Sequence, residues 1–148
     1  MLNTIASTSK WIVIASASRT NHSTSHNMTR TASAFGKLAN LKVKALGLVT
    51  GFYREEGQEM GQHEQSMVFG VTRTGTLKAV IDMFCGQFKQ DCILVWNTDS
   101  NQVWLVNRED GMFMRLGCKG MRILTETESL EEHNAYTIDT DSNIWVVA

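Results

Sequence analysis

Proline is absent from the 148 residues. Cysteine is scarce. Cys85, Cys92 and Cys118 are odd in number and lack Cys-x-x-Cys spacing, so neither a disulfide framework nor a zinc site is indicated. A reduced, cytoplasmic setting is the simplest inference from them. Neither sign of charge is in excess: 14 Lys and Arg stand against 15 Asp and Glu, a formal net charge of -1. That balance gives no electrostatic case for nucleic acid or an anionic membrane as partner, and it argues against a DNA mimic. No apolar run approaches the roughly 20 residues that span a bilayer. The opening MLNTIASTSKWIVIASASR has a short apolar piece and no basic region before it, so it reads as a strand rather than a signal peptide. GxxxxGK[ST] and GxGxxG are both missing, which leaves nucleoside triphosphate chemistry without a motif. The chain is long enough for one domain, 1–148, with a real core, and it shows no repeat, linker or low-complexity stretch.

What is present is a run of short apolar segments. Trp11–Ala17 fits a buried strand. Thr20, Asn21, Ser23 and Thr24 are N-cap candidates for a helix to Ala39, with Met28, Ala32, Phe35 and Leu38 at helical spacing. Gly36 within it is a mild interior cost or a close-packing point. Leu41 opens a strand that leads to Tyr53, and Glu64–Arg73 forms the next. Leu77, Val80, Ile81, Phe84 and Phe88 mark the clearest helix, capped by Thr74 or Thr76. Cys92–Trp96 and Val103–Val106 read as strands, 108–120 as irregular, and Ala135–Ile138 with Ile144–Val147 as a hairpin. The fold class is therefore α+β. The order predicts a ferredoxin-like βαββαβ antiparallel sheet with two helices on one face and extra C-terminal strands. The uncovered face suggests oligomerisation, by analogy as a trimer.

The connection after Tyr53 is long for a hairpin and carries Arg54, Glu55, Glu56, Glu59, His63 and Glu64. A glutamate opening a strand is usually a solvated charge, and a tyrosine closing one is usually an amphipathic core residue. His22 and His26, four apart, have metal-ligand spacing, but no third ligand is near and no metal is expected. The segment from Ser16 to Asn21 joins a strand end to a helix start, where free N–H groups suit a substrate carboxylate; from the residues alone, ordinary helix capping is the better explanation. Asp139 to Asn143 imitates the start of a calcium loop but has Ile144 where glycine is needed, so it reads as a turn.

Beyond these patterns, the chain resembles the small phage enzymes that degrade S-adenosylmethionine, formerly called hydrolases and now lyases. The matching pieces are SASRTN at 16–21, NMTR at 27–30, TGFYRE at 50–55, QDCILVW at 90–96, and YTID at 136–139 with Trp145. The resemblance implies a PII-like homotrimer of ferredoxin-like subunits with active sites between them. It implies Glu64 and Tyr53 as catalytic residues and Ser16, Arg19, Asn21, Asn27 and Arg30 as substrate-binding residues. It implies no cofactor. The expected reaction yields 5′-methylthioadenosine and L-homoserine lactone, in the host bacterial cytoplasm, as phage counter-defence through loss of the methyl donor. Two alternatives stay open: hydrolysis to homoserine, and a non-catalytic PII-like sensor of an adenosyl ligand.

Overall fold

The computed structural model describes residues 1–19, 21–54, 57–107, 113–116 and 120–147. Thr20, Glu55, Glu56 and Cys118, named above, lie outside the described residues. The core of the fold is one antiparallel sheet. Its strands are β1 (Trp11–Ala15), β2 (Lys44–Tyr53), β3 (Gln62–Val71), β4 (Cys92–Asn97), β5 (Gln102–Asn107), β6 (Phe113–Leu116), β7 (Met121–Ile123), β8 (Ala135–Ile138) and β9 (Ile144–Val147). They lie side by side in the order β6-β5-β4-β1-β3-β2-β8-β9-β7. The helices are α1 (Leu2–Ala6), α2 (Thr24–Asn40) and α3 (Thr74–Ile81), the last running on as a π-helical segment, Asp82–Gln87.

Burial explains why β1 is apolar throughout. It sits between β3 and β4, and both of its faces are covered. Val13 and Ala15 face α2 and α3, where they meet Leu38, Phe69, Phe84 and Phe88. Ile12 and Ile14 face the other way, toward Leu2, Ile5, Val68, Trp96 and Trp145. Phe69 and Phe84 are fully buried, their ring centroids 6.1 Å apart, and they join the sheet to the π-helical continuation of α3. Removing either ring to Ala would cost about 3–5 kcal/mol.

α2 begins at Ser23, whose side chain accepts the His26 amide hydrogen, as a serine N-cap does. Its buried stripe is narrower than its spacing suggested. Ala34 and Leu38 are buried, but Met28 is 68% exposed. A Cβ added at Gly36 would meet nothing within 4 Å, so this glycine is an interior cost rather than a packing point.

The second sheet face is not left bare. α1 packs across part of it, and Gly70 permits the approach: a Cβ there would lie 1.9 Å from Ser9 Oγ. The sheet also curls. Trp96 on β4 and Trp145 on β9 are far apart in strand order, yet their rings lie 5.9 Å apart. Asn101 fastens the curl: its Oδ1 accepts the Trp96 indole N–H at 2.8 Å and the Met121 amide at 3.2 Å. What remains open on the concave side is a cleft.

Candidate active site

β2 and β3 set the geometry. Gly51 pairs with Glu64 and Tyr53 with Gln62. Side chains alternate along a strand, so Gly51, Tyr53, Gln62, Glu64 and Ser66 share the concave face. Tyr53 and Glu64 are thus diagonal neighbours, a relation that spaces backbones by about 7–8 Å. Gly51 keeps the space beside the carboxylate open. A Cβ there would stand 3.9 Å from Glu64 Cγ and 3.3 Å from Ser66 Oγ.

These residues line a cleft of about 700 Å³. Ser16, Cys92 and Leu94 form its β1–β4 side, and Glu132, His133, Asn134 and Ala135 its β8 side. Ile14, Met121 and Trp145 make an apolar floor, and Tyr53 and Met60 stand at the mouth, 54% and 83% exposed. Glu64 reaches the open mouth with part of its surface. The cleft walls nonetheless strip water from its carboxyl, and this desolvation raises its pKa. Among the described residues no cation or hydrogen-bond donor compensates it, which leaves a carboxylate ready for a cationic ligand. Burial, then Asp91 and Glu64, push the Cys92 thiol up, so the nearby sulfur is not primed as a thiolate nucleophile. His63 is on the opposite sheet face, its ring tilted against that of Phe52 at 4.8 Å and 3.1 Å from the Tyr136 hydroxyl.

Of the five residues marked for substrate binding, Ser16 lines the cleft. Its hydroxyl donates to the Gln65 carbonyl at 3.1 Å and accepts the Ser18 amide at 3.1 Å. The other four shape the loop between β1 and α2. Asn27 accepts the Arg19 amide at 2.9 Å and returns a bond to its carbonyl at 3.0 Å. Arg19 Nε also reaches Asn21 at 3.4 Å, while its guanidinium bonds the Lys89 carbonyl. Arg30 donates to the Ala17 carbonyl at 2.6 Å and to that of Phe88. Loop and helix end are thereby stitched together beside the cleft, not in it.

None of the candidate site residues read from the sequence lies on the β8 side. Arg54 docks the connection after β2 there, donating its amide to the Asn134 carbonyl at 2.7 Å and a guanidinium N–H to that of Glu131 at 2.8 Å. His133 is held by Glu128, itself clamped by Arg122. Pairs five and six residues apart across a turn carry no periodic signal. His22 and His26 have rings 4.2 Å apart, and no group of three metal-ligating side chains exists among the described residues. Among these residues, too, no helix is long and apolar enough to cross a membrane.

An apolar trough with an uncompensated, partly desolvated carboxylate and an aromatic ring at its mouth suits an organic cation. Comparison with known proteins gives that cation a name. No curated protein matches the chain. Residues 13–148, however, match the model of the S-adenosylmethionine lyase family. With nearly its whole length matched, cleft strands included, the chain belongs to the S-adenosylmethionine lyase family and is an enzyme that degrades S-adenosylmethionine.

Proposed function

We propose that the enzyme converts S-adenosylmethionine to 5′-methylthioadenosine and L-homoserine lactone. The substrate's carboxylate oxygen attacks its own γ-carbon, and the C–S bond breaks with its electron pair going to sulfur. The sulfonium leaves as a neutral thioether, so no acid need protonate it. Positioning the methionine chain for this ring closure is the main task. The observation that carries the reading is Glu64, a carboxylate in the cleft with a raised pKa and no partner of its own among the described residues.

A carboxylate resting against the sulfonium would stabilise the charged ground state more than the charge-dispersed transition state. Glu64 therefore holds the substrate's α-ammonium and draws it away from the carboxylate, which is then free to attack. Tyr53 orients the chain from the mouth, its ring face toward the sulfonium. Ser16 closes the β1 side of the cleft through its backbone, since its hydroxyl is already engaged twice.

The same proposal takes the assembly as a PII-like homotrimer. The succession β4-β1-β3-β2 with α2 and α3 on one face supports a ferredoxin-like reading of the central strands. Tyr53 and Met60 at the open mouth supply surface for a neighbouring subunit to complete the cleft. Arg19, Asn21, Asn27 and Arg30 bind substrate, in this reading, through the loop they stitch. The role is depletion of the methyl donor in the host cytoplasm as phage counter-defence, with no nucleic acid, membrane, metal or cofactor required.

Mass spectrometry of products from purified protein and S-adenosylmethionine, without added metal, tests it. Methylthioadenosine with lactone at early times supports the lyase route. Homoserine from the first time point, without lactone, would make Glu64 a general base for water. Binding without consumption would make the protein a sensor.

A further inference from the structure

We infer that the cleft has a fixed polarity, its β8 side taking the nucleoside and its β4 side the methionine chain, with His133 as a nucleoside-binding residue. The inference rests on the S-adenosylmethionine reading of the same cleft.

His133 is built into the wall with unusual care for a residue in a turn. Arg122 grips Glu128 with both terminal nitrogens, at 2.5 and 2.7 Å. The Thr125 hydroxyl adds a bond at 2.8 Å and its amide one at 3.3 Å. Glu128 Oε2 lies 3.2 Å from His133 Nε2, and the His133 side chain is 15% exposed. The Arg122 bonds, with those of Thr125 and His133, hold Glu128 far below the usual carboxylate range, so it is an anion that only accepts. Nε2 must therefore donate. In the neutral ring this fixes the tautomer and leaves Nδ1 as the acceptor for a ligand. Adenine amino and ribose hydroxyl groups are donors of the matching kind. Tyr53 adds a π-face on the same side, and the Glu132 carboxylate is a second acceptor.

The other side lacks these features. Cys92 and Leu94 are small or apolar, and the Ser16 hydroxyl is occupied. That surface suits methylene and methyl groups. Tyr53 on β2 stands next to the β8 side and Glu64 on β3 one strand further from it, so a substrate with its nucleoside at β8 brings its sulfonium to Tyr53 and its α-ammonium, at the end of the chain, to Glu64.

Two fragments of the substrate separate the ends. 5′-Methylthioadenosine carries the nucleoside without the amino acid, and S-methylmethionine carries the sulfonium amino acid without the nucleoside. Calorimetry should show His133→Ala and His133→Asn weakening methylthioadenosine about tenfold, with S-methylmethionine affinity held within about twofold. Glu128→Ala should do the same by releasing the ring, and Glu128→Gln, whose amide oxygen still accepts from Nε2, should restore most of the affinity. Having both His133 variants guards against one that fails to fold. Unchanged methylthioadenosine binding in the folded variants would overturn the inference, and so would loss confined to S-methylmethionine. Failure of the lyase reading has a different signature: wild-type protein leaves S-adenosylmethionine intact, while the fragment affinities still report the polarity.

Discussion

Replacing Glu64 by Gln separates catalysis from stability because the two should move in opposite directions. Glu64 has no partner among the described residues, so its interaction is available in full to a cationic substrate. A hydrogen bond to a charged group is worth about 1.5–3 kcal/mol, and each 1.4 kcal/mol is a factor of ten. Glu64→Gln should therefore lower kcat/KM by about 10- to 150-fold, with kcat carrying most of the loss. Stability should rise. The folded pKa of Glu64 lies above its usual value of 4.5, so the fold prefers the neutral acid. Its contribution is fully present below the unfolded value and is lost as pH rises through the folded one. Near neutrality the Gln variant should thus melt above wild type, and the gap should close as pH falls toward the unfolded value. The acid limb of kcat/KM in wild type should likewise sit above an ordinary glutamate's. Steady-state kinetics and calorimetric melts across pH read all of this. A variant that melts lower and loses activity in proportion would make Glu64 a structural residue, and unchanged kcat/KM would remove it from the mechanism.

Other outcomes follow from the same structure. Tyr53→Ala should lower kcat/KM by about 3- to 30-fold through loss of the ring face, and Tyr53→Phe by less; equal losses would assign the effect to the hydroxyl. Trp145→Phe removes a 3.0 Å bond to the Asp139 carboxylate and should destabilise by about 1.5–3 kcal/mol in urea titrations. Burial alone would raise the Asp139 pKa, but the Trp145 indole, the Asn143 and Asp141 amides and the Met1 amino group hold it below normal. Its contribution is therefore present above the unfolded value and is lost as pH falls through the folded one, so the difference between wild type and Trp145→Phe should narrow in acid. Gly36→Ala, with open space around it on α2, should stabilise by about 0.5–1 kcal/mol and leave kinetics unaltered.

The central strands were legible because burial writes itself into composition. β1 and β3 are apolar where both faces are covered, and the Leu77–Phe88 spacing marks a helix whose far half is π rather than α, a distinction periodicity cannot draw. Tyr53 and Glu64 are singled out only through resemblance, and the register Gly51–Glu64 supplies the physical reason they share a face. Local irregularity hid the rest. β2 starts at Lys44, not Leu41, because Lys42 and Ala45 take positive φ angles of 56° and 52° around a register shift. α1 has five residues, too few for a periodic signal, and it packs on the face expected to be bare. β6 lies within the stretch expected to be irregular. The cleft itself depends on the curl that brings Trp145 to Trp96 and on the Arg122–Glu128–His133 chain. Both are contacts between distant or unpatterned positions.

The most direct test of intramolecular attack is to run the reaction in ¹⁸O-labelled water and locate the label. Lactone formed by the substrate's own carboxylate should be unlabelled, and homoserine arising from its later opening should carry ¹⁸O in the carboxyl group. Homoserine labelled at the γ-hydroxyl would mean that water attacked the γ-carbon, and Glu64 would then be its general base.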